Sequence, residues 1–283
     1  MIPPYVVLDP LLISWLQEDI GRGDRTTAGL GALVHQSHHA IWIAKAPGSI
    51  AGLPIAQRVF ALLDGAAQLT PLVSEGSHCE AGTAIAEITG PLGALLTGER
   101  VALNLAMRLS GIATLTRQYV DKIVDLSAQL VDTRKTTPGL RMLEKYATRI
   151  GGARNHRLGL DDGVMVKDNH IVAAGSIEAA VTHIRQGLPY PLTIEVETES
   201  LSMVEAALAA DVDIIMLDNM SLAEMATAVT RIRQTHPYVK IEASGNVTLD
   251  TLRAVAETGV DYISTSAPIT RSPWLDLSMR IKY

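Results

Sequence analysis

One cysteine, Cys79, stands in 283 residues. That excludes an internal disulfide and any cysteine-cluster metal site, and it suits a reducing compartment. Aromatic residues make up only 4% of the chain, with a single phenylalanine, so core volume has to come from aliphatic side chains and alanine. Layered α/β structures are built that way. No uninterrupted apolar run reaches the roughly 18 residues that a membrane-spanning helix takes. The opening MIPPYVVLDP carries no basic leader and no small-residue cleavage site, and it does not read as a signal peptide. Positive charge is in deficit overall: a net charge of −6 argues against general nucleic-acid binding. The expectation is a cytoplasmic protein with no membrane and no nucleic-acid partner. What is plentiful is apolar residue, at 47% against 19% charged, enough for a sizeable core and against global disorder.

The deficit of positive charge is not uniform. Between Arg134 and Lys167 there are eight basic residues and three acidic ones, a local excess of five inside an acidic protein. A solvated basic face is one reading of such a cluster, and a pocket for a multiply anionic small molecule is the other.

Two patterns divide the chain. The first hundred residues mix short strands (Ala40–Lys45, Gln68–Val73, Thr83–Ile88) with helices at Leu11–Asp19 and Pro54–Leu63, which predicts a small α+β module. Thr97–Leu126 has helical spacing, with Val101, Leu105 and Leu109 on one stripe, and Gly111 predicts a break in it. From Ala128 onward strands alternate with helices: strands at Gln129–Asp132, Val164–Lys167, Leu192–Glu197, Ile214–Leu217, Lys240–Ala243 and Tyr262–Ser264, with helical segments between them. Such alternation implies parallel strands joined by right-handed crossovers. A barrel and an open doubly wound sheet both satisfy it. Chemically useful residues at the end of almost every strand favour the barrel, and the number of strands makes it an incomplete one. The fold class expected is α/β, an N-terminal α/β sandwich domain followed by an incomplete α/β barrel with parallel strands. The expected domains are residues 1–112, joined by 270–283, and residues 113–269.

Three basic motifs lie at strand ends or in glycine-flanked loops: Arg134 and Lys135 in DTRKTTPG, His156 and Arg157 in NHR, and Lys167 in VMVKDNH. Arginine forks suit carboxylates and phosphates, and lysine supplies a movable point charge. Glu195 and Glu197 are two apart on a strand and share a side, and Asp218 ends the strand IIMLD. Two carboxylates at a barrel mouth can hold Mg²⁺ through oxygen ligands, or form a cross-strand pair or a salt bridge to Lys167. Ser244–Gly245 and Ser266 follow the last two strands, where exposed N–H groups bind phosphate or simply cap a helix. The cluster His35, His38 and His39 has no acidic or cysteine partner beside it and reads as a solvated strand entry. GRGD at Gly21–Asp24 lacks a preceding strand and the spacing of a dinucleotide fingerprint.

The run RKTTPGLRMLEKYATRIGGARNHRLGLDDGVMVKDNHI, Arg134 to Ile171, resembles the quinolinate phosphoribosyltransferase family. The likeness extends to EDIGRGDRTT, TGERVALNLAMRLSGIAT, IEVE, MLDN and EASGN, and so covers nearly the whole chain. It implies an enzyme, a pentosyltransferase of pyridine nucleotide and NAD biosynthesis. Its substrates would be quinolinate and phosphoribosyl diphosphate, and its products nicotinate mononucleotide, carbon dioxide and diphosphate. It also implies Mg²⁺ as cofactor, and a homodimer, or a hexamer built as a trimer of dimers, with shared active sites. By resemblance, Arg100 is lent to the neighbour's site, and Arg134, His156 and Arg157 bind quinolinate. Lys135 and Lys167 meet substrate carboxylate and phosphoribosyl diphosphate, Glu197 and Asp218 face the ribose and the metal, and Ser244 and Gly245 form the phosphate turn. Lys135, Lys167, Glu197 and Asp218 are the catalytic set so implied. Ser266 stands where the family often has glycine, a departure that raises the question of backbone strain there.

Overall fold

The computed structural model describes residues 2–282. Its elements run α1 (Tyr5–Ile20), α2 (Arg25–Ala28), β1 (Ser37–Ala44), β2 (Gly48–Ser49), α3 (Leu53–Leu63), β3 (Gln68–Pro71), β4 (His78–Cys79), β5 (Ala84–Pro91) and α4 (Leu92–Asp121). There follow β6 (Gln129–Val131), α5 (Arg141–Ile150), β7 (Val164–Val166), α6 (Asp168–Ala174), α7 (Ile177–Gly187), β8 (Ile194–Thr198), α8 (Leu201–Ala209) and β9 (Ile214–Asp218). The chain closes with α9 (Leu222–Thr235), β10 (Lys240–Ser244), α10 (Leu252–Ala256), β11 (Tyr262–Ser264), α11 (Ala267–Thr270) and β12 (Leu277–Lys282). Two units form: Met1–Arg117 with Thr137–Gly152 and Arg271–Tyr283, and Gln118–Thr136 with Ala153–Thr270. No helix among the described residues is long and apolar enough to cross a membrane.

In the first unit, β12, β1, β5 and β3 make an antiparallel sheet in that order, so the last strand of the chain pairs with the first. On β1 the alternation is plain: Ala40, Trp42 and Ala44 are buried. Trp42 meets Phe60 of α3 edge-on, with ring centroids 6.3 Å apart. With so few aromatics, the rest of this core is aliphatic, including Leu8, Leu12, Ile55, Ile85, Ile88 and Leu95.

Helix α4 departs from expectation. It runs unbroken from Leu92 to Asp121, through Gly111. The glycine answers to packing rather than to a kink. A Cβ at position 111 would fall 1.9 Å from the carbonyl oxygen of Pro273 and 3.2 Å from Cα of Trp274. Helix α1 is also longer than its apolar spacing suggested, carrying Pro10 within it.

The second unit is a six-stranded parallel sheet of order β6-β11-β10-β9-β8-β7. Its end strands β6 and β7 do not pair with each other, so the barrel is incomplete; β6 takes a parallel bridge from Arg154 instead. Helices α7, α8 and α9 each begin on a serine, Ser176, Ser200 and Ser221, whose hydroxyl accepts the N–H three residues on. Each such cap stabilises by about 1 kcal/mol relative to alanine. Pairing is in register along the sheet. Glu195 lies beside Met165 and Ile214, Glu197 beside Met216, Met216 beside Glu242, and Asp218 beside Ser244. Side chains of paired residues share a face, so Glu195, Glu197, Asp218, Glu242 and Ser244 all project to one side.

The Gly111 contact generates a test. On helix propensity alone, Gly111→Ala would stabilise by about 1 kcal/mol. The close approach of Pro273 predicts the opposite sign, a loss of about 1–3 kcal/mol from overpacking. Urea unfolding of the two proteins decides between them, and a variant at least as stable as the native chain would refute the packing account.

Candidate active site

Most strand ends of the second unit deliver part of a charged cluster. After β7, Lys167 sits at the N-cap of α6, an element its sequence pattern had not suggested. Its main-chain N–H donates to Nδ1 of His170 at 3.0 Å, which closes the turn. Its ammonium group donates to Oε2 of Glu197, on the neighbouring strand β8. After β6, Arg134 points inward, and its Nη1 is buried without a hydrogen-bond partner. A buried guanidinium nitrogen left bare is costly, and an incoming anion would satisfy it. Arg157 donates from Nη1 to the carbonyl of Gly163 at 2.8 Å. Burial, and then the charge of Arg134, hold Arg157 below the usual guanidinium range, while Glu195 opposes the shift. Lys135 lies exposed in the same loop as Arg134, with its N–H bound to Thr133 Oγ1 at 3.0 Å.

The acids form two groups. Glu197, Glu199 and Asp218 each present a carboxylate oxygen, and these lie within 4.8 Å of one another. An all-oxygen set, part exposed, fits Mg²⁺, which keeps several waters and substrate phosphates in its shell. Glu199 had not been singled out, although the alternation Glu195, Glu197, Glu199 in IEVETE carries the signal. Asp218 is held by its neighbour, since Asn219 Nδ2 donates to its Oδ2 at 2.8 Å.

The second group lies deeper. Nε2 of His156 is 3.1 Å from Glu195 Oε2 and 3.5 Å from Glu242 Oε2. Both carboxylates are almost wholly buried, and Oε1 of each has no hydrogen-bond partner. Burial, and then the charge of Glu195, push Glu242 from 4.5 up to about 7, with His156, the Ser264 hydroxyl and Lys167 opposing. Asp132, at the end of β6, accepts the His156 N–H at 2.9 Å and the Asn155 amide at 2.6 Å. Glu242 and Asp132 escaped sequence reasoning because a lone acid on an apolar strand has no local signature.

The turn after β10 has a shape only glycine allows. Gly245 has φ +96, and a Cβ there would fall 2.1 Å from Oδ1 of Asn219. Asn219 and Asn246 themselves adopt φ of 52 and 47, unusual for non-glycine residues. Asn219 N–H donates to the Ser244 carbonyl at 3.1 Å, which ties the turn bearing Asp218 to the turn bearing Gly245. Ser266 is not among the described residues of positive φ, so serine stands there without strain. Its carbonyl accepts the N–H groups of Ile269 and Thr270 at the start of α11.

Arg100 belongs to the first unit. It lies exposed on α4 and lines a cavity of about 590 Å³ together with Trp15, Asn104 and Arg108. Beside it, Arg108 is paired with the fully buried Glu144 at 2.7 Å, and Glu144 also accepts the N–H of Thr137 at 2.8 Å. A cavity of about 720 Å³ opens at the other end of the parallel sheet, lined by Arg185, Asp213 and Lys240, and includes none of the groups above.

Comparison with known proteins agrees along the whole chain. Residues 24–110 match the model for the quinolinate phosphoribosyl transferase N-terminal domain, and residues 112–280 the model for its C-terminal domain. A Synechocystis protein named "Probable nicotinate-nucleotide pyrophosphorylase (carboxylating)" is 64% identical over 280 residues, 99% of this chain and 94% of that protein. The human nicotinate-nucleotide pyrophosphorylase (carboxylating) is 39% identical, over 99% of this chain and 93% of its own. The crystal structure of NadC from Streptococcus pyogenes superposes with a TM-score of 0.94 at 40% identity, over 100% of this chain and 99% of that one.

The raised Glu242 carries a pH signature. In the folded protein it keeps its proton up to about pH 7, whereas unfolded it releases it above about 4.5. The contribution to stability is therefore fully present below 4.5 and is lost as pH rises through 7, by up to about 3 kcal/mol. Glu242→Gln removes that dependence. Its unfolding midpoint should rise relative to the native protein between pH 5 and pH 8, and a constant difference across that range would contradict the assignment.

Proposed function

We infer the chemistry from one premise: the chain belongs to the quinolinate phosphoribosyltransferase family. It transfers the phosphoribosyl group of phosphoribosyl diphosphate to quinolinate with decarboxylation, a step of NAD biosynthesis. The observation that carries this reading is the match of both family models, over residues 24–110 and 112–280, on a chain that keeps its cationic set at the strand ends. Nicotinate mononucleotide, carbon dioxide and diphosphate are the products. The protein is cytoplasmic in this reading.

The charge of the substrates accounts for the local excess of basic residues. Arg134 and Arg157 take the two ring carboxylates, and the bare Nη1 of Arg134 is the donor most in need of one. Lys135 and Lys167 meet the substrate carboxylate and the diphosphate. Ser244 and Gly245, with Ser266, supply the phosphate contacts. Glu197 and Asp218, with Glu199, are the residues to hold Mg²⁺, which when bound neutralises charge on the departing diphosphate. As the anomeric C–O bond breaks, its electron pair leaves with diphosphate. The positive charge at the anomeric carbon then faces the carboxylates of Glu197 and Asp218. The ring nitrogen supplies its lone pair to that carbon and becomes cationic. The adjacent carboxylate leaves as carbon dioxide, the bonding pair stays on the ring carbon under the pull of the cationic nitrogen, and a proton completes that carbon. Positioning and electrostatics suffice, and no covalent enzyme intermediate is needed.

Arg100 enters through assembly. In this reading the protein is a homodimer, or a trimer of such dimers, in which Arg100 of one subunit completes the site of its partner.

Two experiments test this. Purified protein with quinolinate, phosphoribosyl diphosphate and Mg²⁺ should consume quinolinate and release carbon dioxide, with no turnover of nicotinate. Lys167→Ala should lower kcat/KM by about 10²–10³-fold. A folded protein that binds phosphoribosyl diphosphate but leaves quinolinate untouched would sink the reading. In the second, Arg100→Ala and Lys167→Ala proteins, each inactive, are mixed and their subunits exchanged. Activity should return to about a quarter of native, since half of the dimers are mixed and each has one intact site of two. No return after verified exchange would exclude the shared site.

A further inference from the structure

Family resemblance offers His156 as a group that binds quinolinate, but the geometry around its ring says otherwise. The main-chain N–H of Arg157 donates to His156 Nδ1 at 2.7 Å. A nitrogen that accepts carries a lone pair, so the ring proton is on Nε2. Nε2 in turn faces Glu195 Oε2 at 3.1 Å and Glu242 Oε2 at 3.5 Å. Both ring nitrogens are thereby engaged inside the protein. The main chain of the residue is held too, by Asp132. The same Nε2 and carboxylate oxygens are spaced closely enough for a cation. The proton on Nε2 leaves that nitrogen no lone pair to give one.

We propose that Glu195 and Glu242 are positioning residues for the quinolinate end of the site, acting through His156 on Arg157. The chain of contacts is short. The two glutamates hold the ring by its Nε2–H, the ring holds the Arg157 N–H by Nδ1, and the Arg157 side chain reaches back to Gly163. Glu195 has a second effect, because its charge favours the charged form of Arg157 against burial and against Arg134. Two arginines can thus wait side by side in an empty site, because a fixed carboxylate below them stands in for the carboxylates to come. His156 is a strut in this arrangement, and it meets substrate through Arg157 rather than through a ring nitrogen.

The inference rests on the quinolinate reading above, so its test has one arm that needs no substrate. In the full-length protein labelled with ¹⁵N-histidine, the His156 signals, assigned by comparison with His156→Ala, should show Nδ1 as a bare acceptor and Nε2 as protonated. A protonated Nδ1 would overturn the proposal whatever the activity. The second arm is kinetic. Glu195→Gln should raise the KM for quinolinate about tenfold, the scale of one charge-assisted hydrogen bond, and leave that for phosphoribosyl diphosphate within about twofold. His156→Ala combined with Glu195→Gln should cost less than the sum of the two single changes, as members of one chain of contacts are not additive, and only the direct effect of the Glu195 charge on Arg157 is left to lose. Should Glu195→Gln leave the quinolinate KM unchanged while His156→Ala raises it, the ring binds substrate directly and the proposal fails. Should both KM values rise together with a fall in unfolding midpoint, the role is merely structural and the proposal fails also. If native protein turns over no quinolinate, the functional reading fails, and the histidine spectrum still decides the tautomer.

Discussion

In-register parallel pairing means that residue parity, once set on one strand of the second unit, is set on its neighbours. The register from β7 to β11 aligns Met165, Glu195 and Ile214, then Glu197, Met216, Glu242 and Tyr262, then Asp218 and Ser244. These positions share one face. A slip of one residue on β8 would turn Glu195 and Glu197 to the other face and bring Val196 in their place. The active site is in that sense a property of the register, and the register is held by the alternate residues, Val196, Ile215, Leu217, Ile241, Ala243 and Ile263, all buried. Burying each of the larger ones contributes about 1.5–3 kcal/mol.

That constraint places more charge inside than a core would accept for stability alone. Glu195 and Glu242 are buried beside each other, and Arg134 keeps a bare guanidinium nitrogen. Each unsatisfied group costs on the order of 1–3 kcal/mol. The cost is met in part by opposing the signs, with Lys167 on Glu197, and in part by hydrogen bonding, with the Nε2–H of a neutral His156 between the two deeper acids. A site organised before its ligands arrive loses less when they bind, because its dipoles and charges are already oriented. What looks like poor core design is the cost of that readiness.

Much of this was legible from residues alone, for identifiable reasons. Alternation of short apolar strands with helical spacing gave the parallel sheet, and basic or acidic residues at the strand ends gave Arg134, Arg157, Lys167, Glu197 and Asp218. Other things escaped. The role of Gly111 escaped because a glycine in a helix has two meanings, a kink or a close approach, and only the position of Pro273 separates them. Helix α6 escaped because DNHIVAA is short and exposed, with none of its residues buried to leave a periodic stripe. The partners of His156 escaped because Asp132, Glu195 and Glu242 come from β6, β8 and β10, which are neither consecutive in the chain nor neighbours in the sheet, so no local pattern links them.

Sheet order also explains why Asp218 and the turn at Gly245 are coupled. β9 and β10 are neighbours, so Asp218 and Ser244 end side by side, and the two turns that follow have to share the same space. They do so through Asn219, which donates to Asp218 from its amide, donates to the Ser244 carbonyl from its main chain, and fills the volume where a Cβ on residue 245 would be. Glycine at 245 and a left-handed asparagine at 219 are therefore one requirement seen from two strands. Any side chain at 245 has to move Asn219, and moving Asn219 releases Asp218. Loss of the turn and loss of the acid are in this structure the same event, which is why neither residue can be understood from its own strand.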